Sequence, residues 1–110
     1  MWKLEGKENF MSVSSNDTDG GKNVNVVVTG RFDFNDHTQF RDAYKSYAAD
    51  ASYTLDMTSA DYMDSSALGM LLLLREHAGG DSAKIQVVGC KEEIKKILSI
   101  ANFQKLFDIK

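Results

Sequence analysis

The hydrophobic pattern of the chain alternates between stretches typical of strands and stretches typical of helices. Residues 24–30 read VNVVVTG, a β-branched run that ends at a glycine, and residues 52–58 and 83–89 have the same strand character. After the first of these strands, apolar residues recur at i, i+3, i+4 and i+7, the spacing of a helix buried on one side: Phe40, Ala43, Tyr44 and Tyr47. This helix is expected to be capped by Asn35 or Asp36.

A β-hairpin is predicted at the N-terminal end of this alternation. Residues 10–15 contain three apolar side chains and suggest a short strand, and residues 16–21, NDTDGG, are dense in residues that tolerate turn conformations. Strand 24–30 follows this turn, so the two strands are expected to pair with each other. Because the later strands are separated by helices and are therefore parallel, the hairpin makes the sheet mixed.

Two further helices and a closing segment are predicted in the second half of the chain. Residues 65–78 are apolar on most sides of a helix and stop at Gly79 and Gly80, where helices usually end. Residues 91–101 place four apolar side chains on one stripe: Ile94, Ile97, Leu98 and Ala101. Residues 102–109 are expected to be pinned to the core by Phe103, Leu106 and Phe107. The predicted fold class is α/β, a mixed β-sheet with an N-terminal hairpin that is packed by about four helices.

Composition bounds the size of the protein and its classes of partner. With 110 residues, of which 43% are hydrophobic, the chain has enough apolar residues for one globular core. Residues 10–110 are interpreted as a single domain, and residues 1–9 as an N-terminal extension that is native or was added for expression. The net charge of −3 and the pI of about 5.3 offer no basic face, so neither nucleic acid nor an anionic membrane is expected as a partner.

The single cysteine and the short apolar runs indicate where the protein is located and whether it binds a metal. The lone cysteine, Cys90, excludes an intramolecular disulfide and a metal site built on paired cysteines, and it is interpreted as a small buried residue. The start of the chain lacks the basic-then-apolar layout of a signal peptide. The longest apolar run, residues 70–74, is far shorter than the roughly 20 residues of a membrane span. A cytoplasmic protein without a cofactor is expected.

Residues 62–76, YMDSSALGMLLLLRE, place an aspartate and two serines directly before a run of leucines. Asp64 or Ser65 suits a helix cap, because its side-chain oxygen can accept a hydrogen bond from a free N–H group of the first turn. The same N–H groups and the helix dipole also favour a phosphate on a serine there, so both interpretations stay open. Gly69 costs about 1 kcal/mol relative to alanine inside a helix. A compensating reason is therefore expected at Gly69, such as close approach of another backbone.

Three segments of the chain resemble motifs of the STAS family, the anti-sigma factor antagonists. Residues 64–72, DSSALGMLL, are similar to the family signature Asp-Ser-(Ser/Thr)-(Gly/Ala)-(Leu/Ile)-Gly at the start of a helix that follows a strand. Residues 29–34, TGRFDF, resemble the family's strand-ending Gly-x-(Leu/Phe)-Asp, and residues 89–109 resemble its final strand and helices. The resemblance covers residues 10–109 in the same order, and it implies a STAS-like sheet.

The resemblance also implies a phosphorylation switch. The family's phosphorylatable residue falls on Ser65, and its second hydroxyl falls on Ser66. Its loop aspartate falls on Asp33, whereas Ala67 stands where many members have glycine. Members are modified by a partner serine kinase that is also the anti-sigma factor, and a separate serine phosphatase restores them. Only the unphosphorylated form binds the partner, which implies an anti-sigma factor antagonist that is not an enzyme and is a monomer or a weak dimer.

A partner-binding surface is predicted where strand ends meet helix starts, because binding sites in α/β sheets gather at such ends. Besides Ser65, this surface is expected to include eight residues: Arg31, Asp33, Asn35, Met63, Asp64, Ser66, Met70 and Leu73. Some of its three apolar members, Met63, Met70 and Leu73, are expected to be partly exposed and to give the partner an adaptable apolar anchor.

Three alternative functions follow from other features. A response-regulator receiver would use Asp56 as its phosphoacceptor, but the hairpin opening and the shortage of strands argue against it. An enzyme lacks support, because no phosphate-cradling glycine loop is present and neither His37 nor His77 has metal-ligand spacing. His37 is interpreted as solvated, and His77 as favoured by the helix dipole. The third alternative keeps the fold: STAS domains also serve as accessory subunits of transporters, including a lipid-transport ATPase, without a phosphorylation switch.

Overall fold

The computed structural model describes residues 12–110, in which five strands form one mixed sheet with the strands in chain order. The strands are β1 (Ser12–Thr18), β2 (Asn23–Phe32), β3 (Ser52–Met63), β4 (Lys84–Val88) and β5 (Asp108–Ile109). The first pair is antiparallel, and every later pair is parallel. The α-helices in this part of the chain are α1 (His37–Tyr44), α2 (Ser65–His77) and α3 (Glu92–Ile100).

The core lies between one face of this sheet and the helices. Because the strand order never reverses and parallel crossovers are right-handed, successive helices fall on the same face of the sheet. Alternate strand residues are buried beneath them, as Val24, Val26 and Val28 are on β2. The opposite face is polar, and its amides bond across strands: the side-chain nitrogen of Asn25 donates to Asn16 at 3.2 Å. The domain is therefore a two-layer α/β sandwich.

The N-terminal hairpin differs from its prediction in position. Strand β1 continues to Thr18, three residues into the predicted turn 16–21, and the chain reverses through the 3₁₀ turn Asp19–Gly21 instead. The cross-strand pair of Asn16 and Asn25 carries the side-chain hydrogen bond that extends the ladder into this polar segment. The predictions for residues 1–11 lie outside the described residues.

The closing segment corrects the predicted number of helices. Within residues 12–110 there are three α-helices rather than about four. Asn102 takes a left-handed conformation with φ 61°, which ends the helical path, and a 3₁₀ turn and β5 follow. Phe103 and Phe107 are buried and Leu106 is half-buried, which confirms that this segment is pinned to the core. Strand β5 was missed because it has only two residues.

Strand β3 is five residues longer than the predicted strand 52–58, and it ends at Met63. Its register against β2 shifts twice, once between Val27 and Thr29 and again between Gly30 and Arg31. Each shift inserts one extra residue into β3, so burial changes from every second residue to every third along Met57, Ala60 and Met63. The predicted strand stopped at residue 58, which is where the first bulge breaks the alternation.

The first bulge is held by two neighbours. The backbone N–H of Thr58 donates to the Asp56 carboxylate at 3.0 Å, which gives Asp56 a structural role within β3. Gly89, just after β4, has φ 77° and packs against the bulge so closely that a Cβ there would overlap the Thr58 hydroxyl and lie 3.0 Å from the Thr58 Cα. Only glycine combines this backbone angle with this approach.

Candidate partner-binding site

The carboxyl ends of β2 and β3 meet the start of α2. Phe32 pairs with Met63 at the last position of the ladder, and the backbone N–H of Asp64 donates to the Phe32 carbonyl at 3.3 Å. Helix α2 begins with the next residue, Ser65. Because the strand order does not reverse, the sheet has no topological switch point, so these elements form a surface rather than the crevice of a doubly wound sheet.

Asp64 is the cap of α2, as one of the two interpretations of its sequence expected. Its backbone is extended, with φ −106° and ψ 178°, and its Oδ1 accepts from the backbone N–H of Ala67 at 3.1 Å. The same oxygen accepts a 2.6 Å hydrogen bond from the hydroxyl of Ser66, which is half-buried. Ser65 is exposed. The two adjacent serines therefore differ, since Ser66 is engaged with the cap and Ser65 faces solvent.

The exposed side of α2 begins at Ser65 and continues along one helical stripe. Its members recur at helical spacing and include Ser65, Gly69, Leu72, Leu73 and Glu76. A Cβ added at Gly69 would have no neighbour within 4 Å, so the expected close approach of another backbone is wrong. Gly69 instead leaves an open patch of helix backbone between the serine and the exposed leucines.

The three apolar residues predicted for the surface separate into two groups. Leu73 is 61% exposed, which agrees with the prediction. Met63 and Met70 are only 3% and 5% exposed and belong to the core, so neither presents its side chain at the surface for which it was predicted. Met63 lies on the same face of β3 as Met57, because each of the two bulges shifts the alternation by one residue and the two shifts cancel, and Met70 lies on the buried stripe of α2 with Ala67 and Leu74.

Arg31, Asp33 and Asn35 come together at the end of β2. Asp33 caps the 3₁₀ turn Phe34–Asp36 that leads into α1, and its carboxylate accepts from the backbone N–H of Asn35 at 3.1 Å. The predicted caps Asn35 and Asp36 lie inside this turn, so Asp33 replaces them. The Nε of Arg31 lies 3.5 Å from the same carboxylate. This turn packs beside α2, which joins the two predicted halves of the surface.

Two exposed aromatic residues of this surface were missed by the sequence reasoning. Phe34 is 59% exposed and stacks on the His37 ring, with the ring centroids 4.5 Å apart. Tyr62 is 41% exposed, and the guanidinium carbon of Arg31 lies 4.1 Å from the centre of its ring. A possible signal for Phe34 was the cap at Asp33, which turns the chain out of the sheet. For Tyr62 a possible signal was the alternation of Tyr53, Leu55 and Met57, which places residue 62 on the outer face when it is continued, because the shifts at the two bulges cancel.

His77 and Cys90, which were also considered from the sequence, are both partly buried. His77 is half-buried, and its Nε2 lies 2.8 Å from the Tyr47 carbonyl, which ties the end of α2 to the segment after α1. Burial raises the pKa of the half-buried Cys90 thiol above its ordinary value, and the charge of Lys95 opposes this rise only in part. Residues 12–110 contain no cluster of three metal-ligating side chains. None of the helices described in these residues is both long and apolar enough to cross a membrane.

Comparison with known proteins places the chain in a family. The family described as "Mlab, STAS domain" matches residues 16–108. A STAS-domain containing protein of Pseudomonas aeruginosa strain UCBPP-PA14 is 47% identical over 100 residues, which cover 90% of this chain and 99% of that protein.

Solved structures agree with this match at the level of the fold. An anti-sigma factor antagonist from Mycobacterium paratuberculosis has a TM-score of 0.76 at 18% identity, over 92% of this chain and 86% of its own. The anti-sigma factor antagonist SpoIIAA aligns in its unphosphorylated form with a TM-score of 0.75 at 12% identity, over 90% and 88% of the two chains. The phosphorylated form, from Bacillus, aligns with a TM-score of 0.67 at 12% identity, over 90% and 91%. With the family match over most of its length, the chain belongs to the STAS domain family.

Proposed function

We propose that this protein is an anti-sigma factor antagonist, a cytoplasmic binding module without catalysis of its own, whose partner binding is switched by phosphorylation of Ser65. The unphosphorylated form sequesters an anti-sigma factor or serine kinase, the phosphorylated form releases it, and a serine phosphatase resets the switch. The observation that carries this proposal is the difference between the two serines. Ser65 is exposed at the start of α2, whereas the Ser66 hydroxyl is held by Asp64.

The electrostatics of the helix start suit a reversible modification. The first turn of α2 presents free N–H groups and the positive end of the helix dipole, both of which favour a phosphate on Ser65. The Asp64 carboxylate next to it opposes the phosphate, and its Oδ1 already accepts from Ala67 and Ser66. A phosphoryl group adds about −1.5 to −2 charge. That charge would stand on the surface while the buried stripe of α2 stays packed, so binding changes and the fold persists.

The surroundings of Ser65 suit a protein partner that presents an apolar segment. The three elements that meet at the start of α2 carry exposed apolar and aromatic side chains, namely Phe34, Tyr62, Leu72 and Leu73. Aromatic residues and arginine, such as Arg31 stacked on Tyr62, dominate binding energy at protein interfaces. Carboxylates lie among these groups, and they include Asp33, Asp61 and Asp64. A phosphate would add negative charge to this acidic surface and would lower affinity for an apolar partner segment through desolvation.

The test compares binding of the two serine states. Tagged chain with Ser65 unmodified, with Ser65→Ala and with Ser65→Asp is used to capture proteins from the native bacterium, which are identified by mass spectrometry. We expect an anti-sigma factor or serine kinase with the first two forms and a loss of about a hundredfold in affinity, about 2.7 kcal/mol, with Ser65→Asp. Ser82→Asp is the matched control, because Ser82 is exposed in the turn beyond α2.

Two results would contradict the switch. Binding by Ser65→Asp as tight as that of the parent chain would return Ser65 to the role of an ordinary first helical residue. Phosphate mapped to Ser66 alone in protein isolated from cells would have the same consequence.

A second function is favoured by the description of the matching family, "Mlab, STAS domain". STAS domains resembling this one serve as accessory subunits of transporters such as a lipid-transport ATPase, where no phosphorylation switch is needed. The same capture experiment separates the two functions. An ATPase subunit as the main captured protein, bound equally by Ser65→Asp, would support the transporter subunit.

A further inference from the structure

The end of β3 that carries the candidate site lacks a strand neighbour on one side. Strand β4 pairs with β3 from Ser52 only as far as Asp56, opposite Val88. Beyond that point β3 continues to Met63 with pairing to β2 alone. In the described part of the chain, the last seven residues of β3, from 57 to 63, therefore present an unpaired edge toward the start of α3.

A bulge interrupts this unsupported segment. Ala60 pairs with Gly30 and Tyr62 pairs with Arg31, so Asp61 is the extra residue without a ladder partner. Bulges in parallel pairs are rare, because the inserted residue disrupts the hydrogen bonds that hold the strands in register. The segment that aims Tyr62 outward and Met63 inward thus has one strand neighbour and a broken ladder.

Lys91 occupies the position where a strand neighbour is missing. Its side chain extends from the residue that precedes α3, and its Nζ donates to the Ala60 carbonyl at 3.0 Å. The same Nζ donates to the Asp61 carboxylate at 2.9 Å. One ammonium group therefore replaces the missing ladder donor and neutralises the carboxylate of the bulged residue. Hydrogen bonds from a charged donor are among the stronger ones in proteins.

We infer that Lys91 is a positioning residue of the partner-binding surface: it clamps the Asp61 bulge and so fixes the direction of Tyr62 and the start of α2 at Ser65. A slip of one residue in a strand moves every side chain to the other face. Loss of the clamp would allow such a slip between the bulge and Asp64, with Tyr62 leaving its contact with Arg31. The importance of this geometry for binding rests on the proposed function, whereas the clamp itself does not.

Amide hydrogen exchange by NMR tests the clamp without any partner. In Lys91→Met we expect amides of residues 60–64 to exchange about tenfold faster, while amides of the paired segment 53–56 keep the rates of the parent chain. Because the Arg31 guanidinium lies over the Tyr62 ring, its side-chain Nε–H resonance should be shifted by the ring in the parent chain and should move toward the position of a free arginine in Lys91→Met. Lys91→Arg, which keeps a donor of similar reach, should restore both signals.

Lys96→Met is the matched control, because it removes an exposed lysine from α3, the helix that Lys91 precedes. Asp61→Asn provides a second variant that keeps the Ala60 bond, so its exchange rates should rise less than those of Lys91→Met. Unchanged exchange at 60–64 in Lys91→Met, or a uniform rise across the sheet, would overturn the inference. Neither readout depends on Ser65 or on a partner, so a failure of the proposed switch would leave both signals as expected.

Discussion

The Ser66 hydroxyl donates a 2.6 Å hydrogen bond to Asp64 Oδ1, the same oxygen that accepts the backbone N–H of Ala67. One carboxylate oxygen therefore caps α2 and also holds the second serine of the motif. This double use leaves Ser65 as the exposed hydroxyl of the pair. The cap and the candidate switch are parts of one arrangement, and the two interpretations of the sequence are compatible.

Asp64→Ala should lower the free energy of unfolding by about 2 kcal/mol, because the first turn of α2 loses its cap and Ser66 loses its acceptor. Combined with Ser66→Ala in a double-mutant cycle, it should show a coupling energy of about 1 kcal/mol, since the Ser66 bond goes to a charged acceptor. Urea unfolding gives both values. The control is Asp42→Ala, which removes an exposed ion pair on α1 and should change stability by less than about 0.5 kcal/mol. Additive effects of the two site variants would contradict the coupling.

Alanine substitutions of exposed residues at the site should weaken partner binding, whereas those of buried residues should lower stability. Phe34→Ala and Leu73→Ala should weaken partner binding at least tenfold, about 1.4 kcal/mol, because both side chains are more than half exposed. Their unfolding free energy should fall by less than about 1 kcal/mol. Met63→Ala and Met70→Ala should instead lower it by about 2–5 kcal/mol, since both methionines are buried.

Calorimetry of binding and urea unfolding on the same four variants makes this comparison. If partner affinity fell most in the variants with the lowest unfolding free energy, and not in those with exposed side chains, the exposed residues would not form the partner surface.

The same substitution at two glycines should change stability with opposite sign. Gly69→Ala should raise the unfolding free energy by about 1 kcal/mol, because Gly69 lies inside α2 and the added methyl meets nothing within 4 Å. Gly89→Ala should lower it by about 2–3 kcal/mol, because alanine is strained at φ 77° and its Cβ would overlap Thr58. Urea midpoints of the two variants are the measurement. A stabilised Gly89→Ala would show that the turn after β4 does not need its contact with the bulge.

Alkaline pH should destabilise the fold. Burial raises the pKa of the Tyr44 and Tyr53 hydroxyls above their ordinary value of 10.0 and that of the Cys90 thiol above 9.0. The folded state thus holds these three protons to higher pH than the unfolded chain does. Their contribution to the free energy of unfolding is therefore complete below pH about 9 and is lost as the pH rises through the pKa values of the folded state.

The melting temperature measured from pH 7 to 11 tests this direction. Tyr44→Phe removes one of the three groups, so its melting temperature should fall less steeply above pH about 10 than that of the parent chain. An identical slope in the two proteins would contradict the assignment to Tyr44.

Interactions between residues close in sequence determined the helices, most of the strands and part of the candidate site. Asp64 followed by a continuous apolar run predicts a capped helix, and α2 begins at Ser65 with that cap in place. The period-two pattern around Val26 and Leu55 predicts buried strands, and both residues are in the core. The grouping of Arg31, Asp33 and Asn35 also follows from the sequence, because a cap and its turn involve only neighbouring residues.

Tertiary structure alone decided which side chains the site presents. Ala60 is buried and Ser59 and Asp61 are exposed because β3 carries two bulges, and those bulges are held by residues about thirty positions away: Thr58 meets Gly89, and Ala60 accepts from Lys91 with a separation of 31 residues. A strand register depends on such distant partners, whereas helix capping and hydrophobic periodicity depend on residues within one or two turns. The start of α2 is therefore encoded locally, whereas the register of the bulged end of β3 is set by contacts that form only when the sheet is assembled.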